Sequence, residues 1–328
     1  MIPWARIIIV VYNSSPDLQI CVNHLAHQIF TDFEVKIVNN QTPDDCIKTL
    51  KLPDERFEVL EADDNLGFAA GCNFGAKGAE VPWLIMLNPD AFAAPEWLQT
   101  LHSAAERHAH IAVLSSTLIQ AEDRHLVDGF GDVMSIYGIA WRGAYGHPVE
   151  NLPDNDALVF GPCGAAAAYR RDAFETIGGF DPAYFCYLED VDLAYRYQRA
   201  GYDCLQVRPA IVYHRGAGST EKGGEFQFYQ AYKNNLRLIV KSTPPLLLCL
   251  VLPIHWASQH YLIFRNRNNP HHAARIKGRQ DGRKGFRDAW HARGAIKNLH
   301  QRGSLAIFNR LAKSRKGISQ LHPKFWRK

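Results

Sequence analysis

The run Arg6-Ile7-Ile8-Ile9-Val10-Val11-Tyr12 is apolar at nearly every position, so it predicts a β-strand buried on both faces. Asn13-Ser14-Ser15-Pro16 interrupts it, with Ser15 suited to an N-cap and Pro16 to the first helical position. Leu18, Cys21, Val22, Leu25 and Ile29 then recur at helical spacing, and Phe33 to Val38 predicts a second strand. A strand, a helix and a strand with short joints form a βαβ unit, which requires a parallel sheet. The alternation continues with strands at 57–60, 83–87 and 111–114 and helices at 68–77 and 95–107. Between 121 and 157 the period is lost among Gly, Asp and Tyr residues, which predicts a loop or irregular lid. Structure is expected again at 159–169, in the helical turn 172–177, and in a helix over 189–200 stopped by Gly201. Closing strands are expected at 204–207 and 211–213.

Past Lys241 the character changes, which divides the chain into an α/β domain over 1–241 and a helical tail over 242–328. The stretch from Pro244 to Phe264 contains Leu246-Leu247-Leu248-Cys249-Leu250-Val251-Leu252 but is interrupted by Pro253, His255 and Gln259. That reads as too short and broken to span a bilayer, leaving two alternatives: a helix lying in the membrane interface or one packed on the body. Charge bears on the choice. Residues 265–328 hold 18 Lys+Arg and two acids, a net of +16, whereas the other 264 residues carry 19 bases and 31 acids, a net of −12. The tail should therefore seek a polyanion, and its apolar neighbour favours an anionic membrane surface over nucleic acid, for which no recognition motif is present.

The composition, 47% hydrophobic and 21% charged, is that of a folded protein and argues against a disordered or fibrous chain. Seven scattered cysteines without a CxxC pair predict reduced thiols. With no signal-peptide pattern at the N-terminus, the expected location is cytoplasmic.

Candidate chemistry gathers where predicted strands end, the usual ligand-binding edge of an open parallel sheet. Val11, Tyr12 and Asn13 close the first strand and Asn39 and Asn40 the second; such side chains can bracket a planar base, although Asn is also ordinary turn chemistry. In Asn65-Leu66-Gly67-Phe68-Ala69-Ala70-Gly71, Asn65 can hold a base or ribose and Gly67 permits close backbone approach. The alternative is a glycine-bearing helix packed tightly on the sheet. Leu87-Asn88-Pro89-Asp90 follows a strand and puts Asp90 where a carboxylate can share Mg²⁺ or Mn²⁺ with substrate phosphates. Glu189 and Asp190 open a helix, and because neighbouring helical positions differ by about 100° in direction they cannot share one role. His214 ends a strand and can offer an imidazole to a metal.

In order and spacing, Asn65-Leu66-Gly67-Phe68-Ala69-Ala70-Gly71, Leu87-Asn88-Pro89-Asp90 and Gly179-Phe180-Asp181 through Glu189-Asp190-Val191-Asp192-Leu193 resemble the family-2 nucleotide-sugar glycosyltransferases of the GT-A fold, over approximately Ile7 to Ser219. Asn-Pro-Asp combined with Glu-Asp-Val-Asp-Leu is most similar to the bacterial rhamnosyltransferase branch. The resemblance implies a Rossmann-like, mostly parallel sheet flanked by helices. It also implies transfer of a sugar, rhamnose first, from dTDP-rhamnose or a UDP-sugar to a glycan or lipid-linked acceptor at the inner face of the cell membrane, with inversion. Asp190 becomes the expected base, with Glu189 as its alternative, and Asp90 with His214 the expected metal pair. Val11, Tyr12, Asn13, Asn39, Asn65, Gly67, Asn88 and Asp90 are the expected nucleotide-sugar contacts, and Phe180, Asp181 and Tyr184 the expected acceptor contacts. One departure stands out: the family usually has Asp at the position of Asn39, where the acid accepts the base's N3–H, so an uncharged contact is expected here. The rival readings are a sugar-nucleotide-forming nucleotidyltransferase, which normally needs a glycine-rich basic loop missing from Tyr12-Asn13-Ser14-Ser15-Pro16, and a nucleic-acid-binding protein acting through the tail.

Overall fold

The computed structural model describes residues 2–14, 16–216, 224–299 and 302–312; Ser15, the expected N-cap, and Ser219, where the resemblance ends, lie outside them. The chain opens with β1 (Ala5–Val11), α1 (Asp17–Ala26), β2 (Phe33–Asn39), β3 (Phe57–Glu61), α2 (Gly67–Ala76) and β4 (Trp83–Leu87). It continues through β5 (Ala91–Ala93), α3 (Trp97–Arg107), β6 (Val113–Gln120), β7 (Val127–Phe130), β8 (Asp132–Met134), β9 (Ala140–Arg142), β10 (Ala157–Val159) and β11 (Ala166–Arg170). Then come α4 (Arg171–Ile177), α5 (Glu189–Arg199) and β12 (Cys204–His214), followed by α6 (Glu225–Ser242), α7 (Pro245–Arg265), α8 (His272–Lys284), α9 (Phe286–Ala292) and α10 (Ser304–Arg310).

The main sheet runs β3-β2-β1-β4-β11-β6-β12-β10 with β5 added on β12 and β7 on β6, and β11, β10, β5 and β7 oppose the direction of the others. β1 is buried along its whole length because its alternate residues face two different cores. Ile7, Ile9 and Val11 pack with α1 and α3, while Ile8 and Val10 pack on the side of α2 and α5. The β-branched run Ile7–Val11, with no polar position, is what such a doubly covered strand requires, and the one polar residue of β1, Arg6, is paired with Glu34. The glycines of α2 allow the helix to lie unusually close: a Cβ on Gly75 would sit 2.6 Å from Ile8 Cγ2, and one on Gly71 2.8 Å from Val10 Cγ1.

Two expectations need correction. The 121–157 stretch is not an irregular lid: it forms β7, which pairs with β6, and the β8–β9 hairpin. These strands are only three or four residues long, too short for a two-residue period to show in the sequence. Pro253 does not break the apolar segment either, since α7 is a continuous 21-residue helix, by length and composition sufficient to cross a membrane. An interior proline removes one donor, and Pro253 lies on the exposed side, where water can satisfy the freed carbonyl.

The C-terminal helices are fastened to the body through α6. α8 approaches α6 so closely that a Cβ on Gly278 would meet the Tyr229 carbonyl oxygen at 2.3 Å, and Gly282 meets that of Lys233 in the same way. On its other side α6 reaches the first turns of α5. Asp192, fully buried, receives Arg196 Nε at 2.9 Å, Lys241 Nζ at 2.8 Å, Ser242 Oγ at 2.8 Å and the Tyr184 hydroxyl at 3.2 Å. Burial alone would raise its pKa, but Lys241 and Arg196 outweigh that and hold the carboxyl well below the usual range. The stabilisation is thus present above the unfolded-state pKa of Asp and is lost as pH falls below it. Asp192→Asn would leave the buried Arg196 without its carboxylate and Lys241 with Asp181 alone, and the expected loss is about 3–5 kcal/mol of unfolding free energy in denaturant titration at neutral pH.

Candidate active site

β1, β2 and β4 are adjacent and parallel, so Asn13, Asn39–Asn40 and Asn88–Asp90 emerge along one edge of the sheet. Asn13 adopts φ +51°, and its N–H donates to Thr42 Oγ1 at 2.8 Å. Asn39 is held by its neighbours: its amide nitrogen donates to Glu61 Oε2 at 2.7 Å and its oxygen accepts the Thr42 N–H at 3.2 Å. The acceptor oxygen expected to meet a base is therefore already engaged. Val11 is buried in the core, so only its backbone borders the edge, and its carbonyl accepts the Asn40 N–H at 3.0 Å. Tyr12 is partly exposed beside it.

Asn40, expected beside Asn39 to border a base, is instead taken up by the turn into α2. Buried itself, it donates to Asn65 Oδ1 at 2.9 Å and accepts the Leu66 N–H at 2.8 Å, while Asn65 Oδ1 also accepts the Gly67 N–H at 3.0 Å. Asn65 thus shapes the turn into α2. Gly67 has φ +74°, and a Cβ there would stand 2.5 Å from the Phe185 ring, so both backbone and space require glycine. The Ala69 N–H donates to the Phe185 carbonyl at 3.1 Å, locking this loop to the segment before α5.

That segment is strained. Phe185, Tyr187 and Leu188 all have φ between +62° and +69°, without a glycine among them. The buried Asn234 of α6 holds it by directing its amide nitrogen at the carbonyls of Tyr184, Cys186 and Tyr187, at 2.8–2.9 Å. Backbone strain of this kind persists only where surrounding contacts over-determine it. The outcome is the position of α5, whose first residue, Glu189, is buried while Asp190 remains partly open.

Asp90 and His214 meet at the end of β4 and β12. His214 Nδ1 lies 2.7 Å from Asp128 Oδ2, and its Nε2, 3.4 Å from Asp90 Oδ1, has no hydrogen-bond partner among the described residues. Asp90 Oδ2 also accepts the Gly216 N–H at 3.1 Å. Burial disfavours the imidazolium, but Asp128 and Asp90 outweigh it and raise the His214 pKa. A buried ring nitrogen and a carboxylate oxygen aimed at the same space, with the far ring nitrogen oriented by a second carboxylate, fit a divalent ion such as Mn²⁺. Among the described residues no group of three His, Cys, Asp or Glu side chains forms a closed metal set, so a diphosphate would supply the remaining ligands.

Asp128 continues the chain of contacts by ion-pairing with Arg142, and the positive field of Arg142 reaches Asp132 and Asp190. Asp190 Oδ1 accepts the Val191 N–H at 2.8 Å, and its Oδ2 fills the space a Cβ on Gly164 would need, at 2.5 Å. Burial raises the Asp190 pKa, opposed by the Val191 N–H and Arg142. Burial and the Asp190 charge raise that of Glu189 further, and Glu189 Oε2 has no hydrogen-bond partner among the described residues. Asp128, Asp132 and Arg142 all come from the supposed lid; the sequence cue was two glycine-flanked acids in Asp128-Gly129-Phe130-Gly131-Asp132. A cavity of about 620 Å³ between α1 and the 46–53 loop, lined by Pro16, His27 and Lys51 among others, contains none of these groups.

The expected acceptor contacts are corrected by burial. Phe180 is 2% exposed and packs edge-on against Phe68, Tyr169 and Phe174, and Tyr184 is fully enclosed above Asp192. Asp181 is taken up by Arg237 and Lys241, each 2.8 Å away. These residues connect α6 to the base of α5. Asn88, half-buried, donates its backbone N–H to the Ala165 carbonyl at 2.9 Å.

Comparison with known proteins bears on the family and the fold. The L-rhamnosyltransferase of Mycobacterium tuberculosis named for N-acetylglucosaminyl-diphospho-decaprenol is 26% identical over 236 residues, which is 65% of this chain and 76% of that protein. The O-antigen biosynthesis protein RfbC of Myxococcus xanthus is 28% identical over 227 residues, 64% of this chain but only 17% of that larger protein. Among solved structures, GalNAc-T7 with UDP, GalNAc and Mn²⁺ superposes with a TM-score of 0.62 at 15% identity, covering 88% of this chain and 56% of its own. The Staphylococcus aureus TarS fragment with UDP-GlcNAc gives 0.54 at 15% identity, covering 90% and 92%. These likenesses establish the GT-A fold, and since the family description "Glycosyl transferase family 2" matches residues 6–178, more than half of its length, the chain belongs to that family of glycosyltransferases.

Proposed function

We infer that this glycosyltransferase moves rhamnose from dTDP-rhamnose to a hydroxyl of a lipid-linked glycan, with inversion, on the cytoplasmic face of the cell membrane. The observation that supports the reaction is the contact chain Asp90–His214–Asp128–Arg142, whose guanidinium lies within electrostatic reach of Asp190. Family membership displaces the nucleotidyltransferase reading. The Mycobacterium relative, whose name includes both rhamnose and a diphospho-decaprenol acceptor, supports the choice of sugar and acceptor class. The free state of all seven cysteines supports the cytoplasmic side.

In this proposal the acceptor oxygen attacks the anomeric carbon as Asp190 takes its proton, and the sugar–diphosphate bond breaks with its electrons passing to the departing phosphate oxygen. A carboxylate is too weak to ionise a free alcohol beforehand, so proton transfer accompanies bond formation. Asp90 and His214 would hold a divalent ion, which when bound supplies Lewis-acid stabilisation of the leaving diphosphate. Arg142 holds Asp128 by an ion pair, and its field favours the ionised, proton-accepting form of Asp190. Glu189, more deeply buried and directed elsewhere, acts as a structural neighbour rather than the base.

A panel of nucleotide sugars read by thermal unfolding with Mn²⁺ present tests the donor. A ligand at 100 times its Kd stabilises by about 2.7 kcal/mol, and dTDP-rhamnose is expected to give the largest shift. A larger shift with a UDP-hexose would reassign the sugar, and no shift with any member would overturn the donor class.

A further inference from the structure

The sequence left open whether the apolar segment packs on the body or meets a membrane, and α7 does the first with one face only. Leu247, Leu248 and Val251 are buried in the same cluster as Tyr184, Val191 and Tyr195. His255 Nδ1 lies 3.2 Å from the Tyr137 carbonyl, and burial holds its imidazole down at a pKa of about 4. The opposite face is bare. Leu246, Leu250, Pro253, Ala257, Tyr261 and Phe264 are all exposed, with Leu246 at 81% and Phe264 at 64%. Their spacing of 4, 3, 4, 4 and 3 residues keeps them on one stripe about 27 Å long. Trp256 flanks it at 58% exposure, and α7 holds no charged residue before Arg265.

We propose that this outer face of α7 is a docking surface for an anionic lipid bilayer, on which the helix lies in the plane of the interface. This goes beyond the proposed reaction and does not depend on it. The buried polar edge, His255 and Gln259 against the body, keeps α7 from leaving the protein to span the membrane. A second copy is the poorer occupant, because each chain brings a net +16 over 265–328 and pairing would set like charges together. An anionic bilayer complements that charge, and α9 adds a second anchor in the exposed, stacked Phe286 and Trp290 around Arg287. The attachment also bears on catalysis. α7 follows α6 after Thr243–Pro244, and α6 holds both the strained loop through Asn234 and α5 through Lys241 and Ser242, so docking fixes the catalytic segment relative to the bilayer plane.

The test is co-sedimentation of the full chain with vesicles of phosphatidylcholine alone and of phosphatidylcholine with phosphatidylglycerol, without donor or acceptor. The wild type is expected to bind the anionic vesicles at least about 10-fold more tightly. The triple variant Leu250→Glu/Tyr261→Glu/Phe264→Glu is expected to lose about 100-fold of that binding while retaining transfer to a water-soluble acceptor. Should the variant misfold, the unsubstituted chain still gives an answer: Cys249 is the exposed thiol on this side of α7, and a polarity-sensitive dye attached there should shift to the blue on anionic vesicles. An unmoved dye spectrum, undiminished binding by the folded triple variant, equal binding to neutral vesicles, or a wild-type dimer that the variant dissociates would each overturn the proposal.

Discussion

Asp190→Asn is expected to lower kcat by at least about 10²-fold while donor binding, read by calorimetry, stays within a few-fold of wild type. The asparagine keeps the volume and can still accept the Val191 N–H, so the helix start is preserved, but it can no longer take up a proton. Glu189 cannot replace it: it is 6% exposed and points about 100° away around α5. The pH dependence carries the same signature. Burial raises the Asp190 pKa, so the inactive protonated form persists to higher pH than for an ordinary aspartate. Wild-type kcat/KM should therefore rise with pH through a midpoint higher than that of an ordinary aspartate, and the variant's residual rate should lack that limb. Near-normal turnover by Asp190→Asn would remove this residue from the role of base.

Asp90→Ala is expected to abolish the Mn²⁺-dependent part of donor binding, and His214→Ala to weaken it by at least about 10-fold. The two side chains approach each other at 3.4 Å between His214 Nε2 and Asp90 Oδ1, and neither substitution touches the base-type side of the site. Asp128→Asn is the graded control. It leaves both ligands in place but releases the ring orientation set by the 2.7 Å contact to His214, and should weaken metal-dependent binding about 10–100-fold. Calorimetry with dTDP-rhamnose, with and without Mn²⁺, separates these outcomes. Donor binding by Asp90→Ala that still responds fully to Mn²⁺ would exclude the pair as metal ligands.

The two carboxylates proposed for metal binding and for the base stood out in the sequence because their cues are local. Asp90 follows an apolar strand through a turn, and Asp190 begins a helix after a glycine-bearing turn, so a few residues of context suffice. The residues that tie them together were not legible. Asp128 and Arg142 stand 14 positions apart on strands of three and four residues, and their partners His214 and Asp190 lie beyond both. The acceptor assignment failed for a related reason: an aromatic residue near a catalytic helix reads the same whether its ring faces a substrate or, as for Phe180, three other rings.

By itself the sequence determined the parallel sheet, the strand ends that carry the chemistry and the family, since each depends on side-chain period or on residue types within one short segment. Only the tertiary structure decided that Asp128 stands between His214 and Arg142, that Phe180 and Tyr184 are buried, and that α7 buries one face and leaves the other bare. Those outcomes depend on long-range packing, where burial and charge pairing between distant segments outweigh what any local pattern prefers.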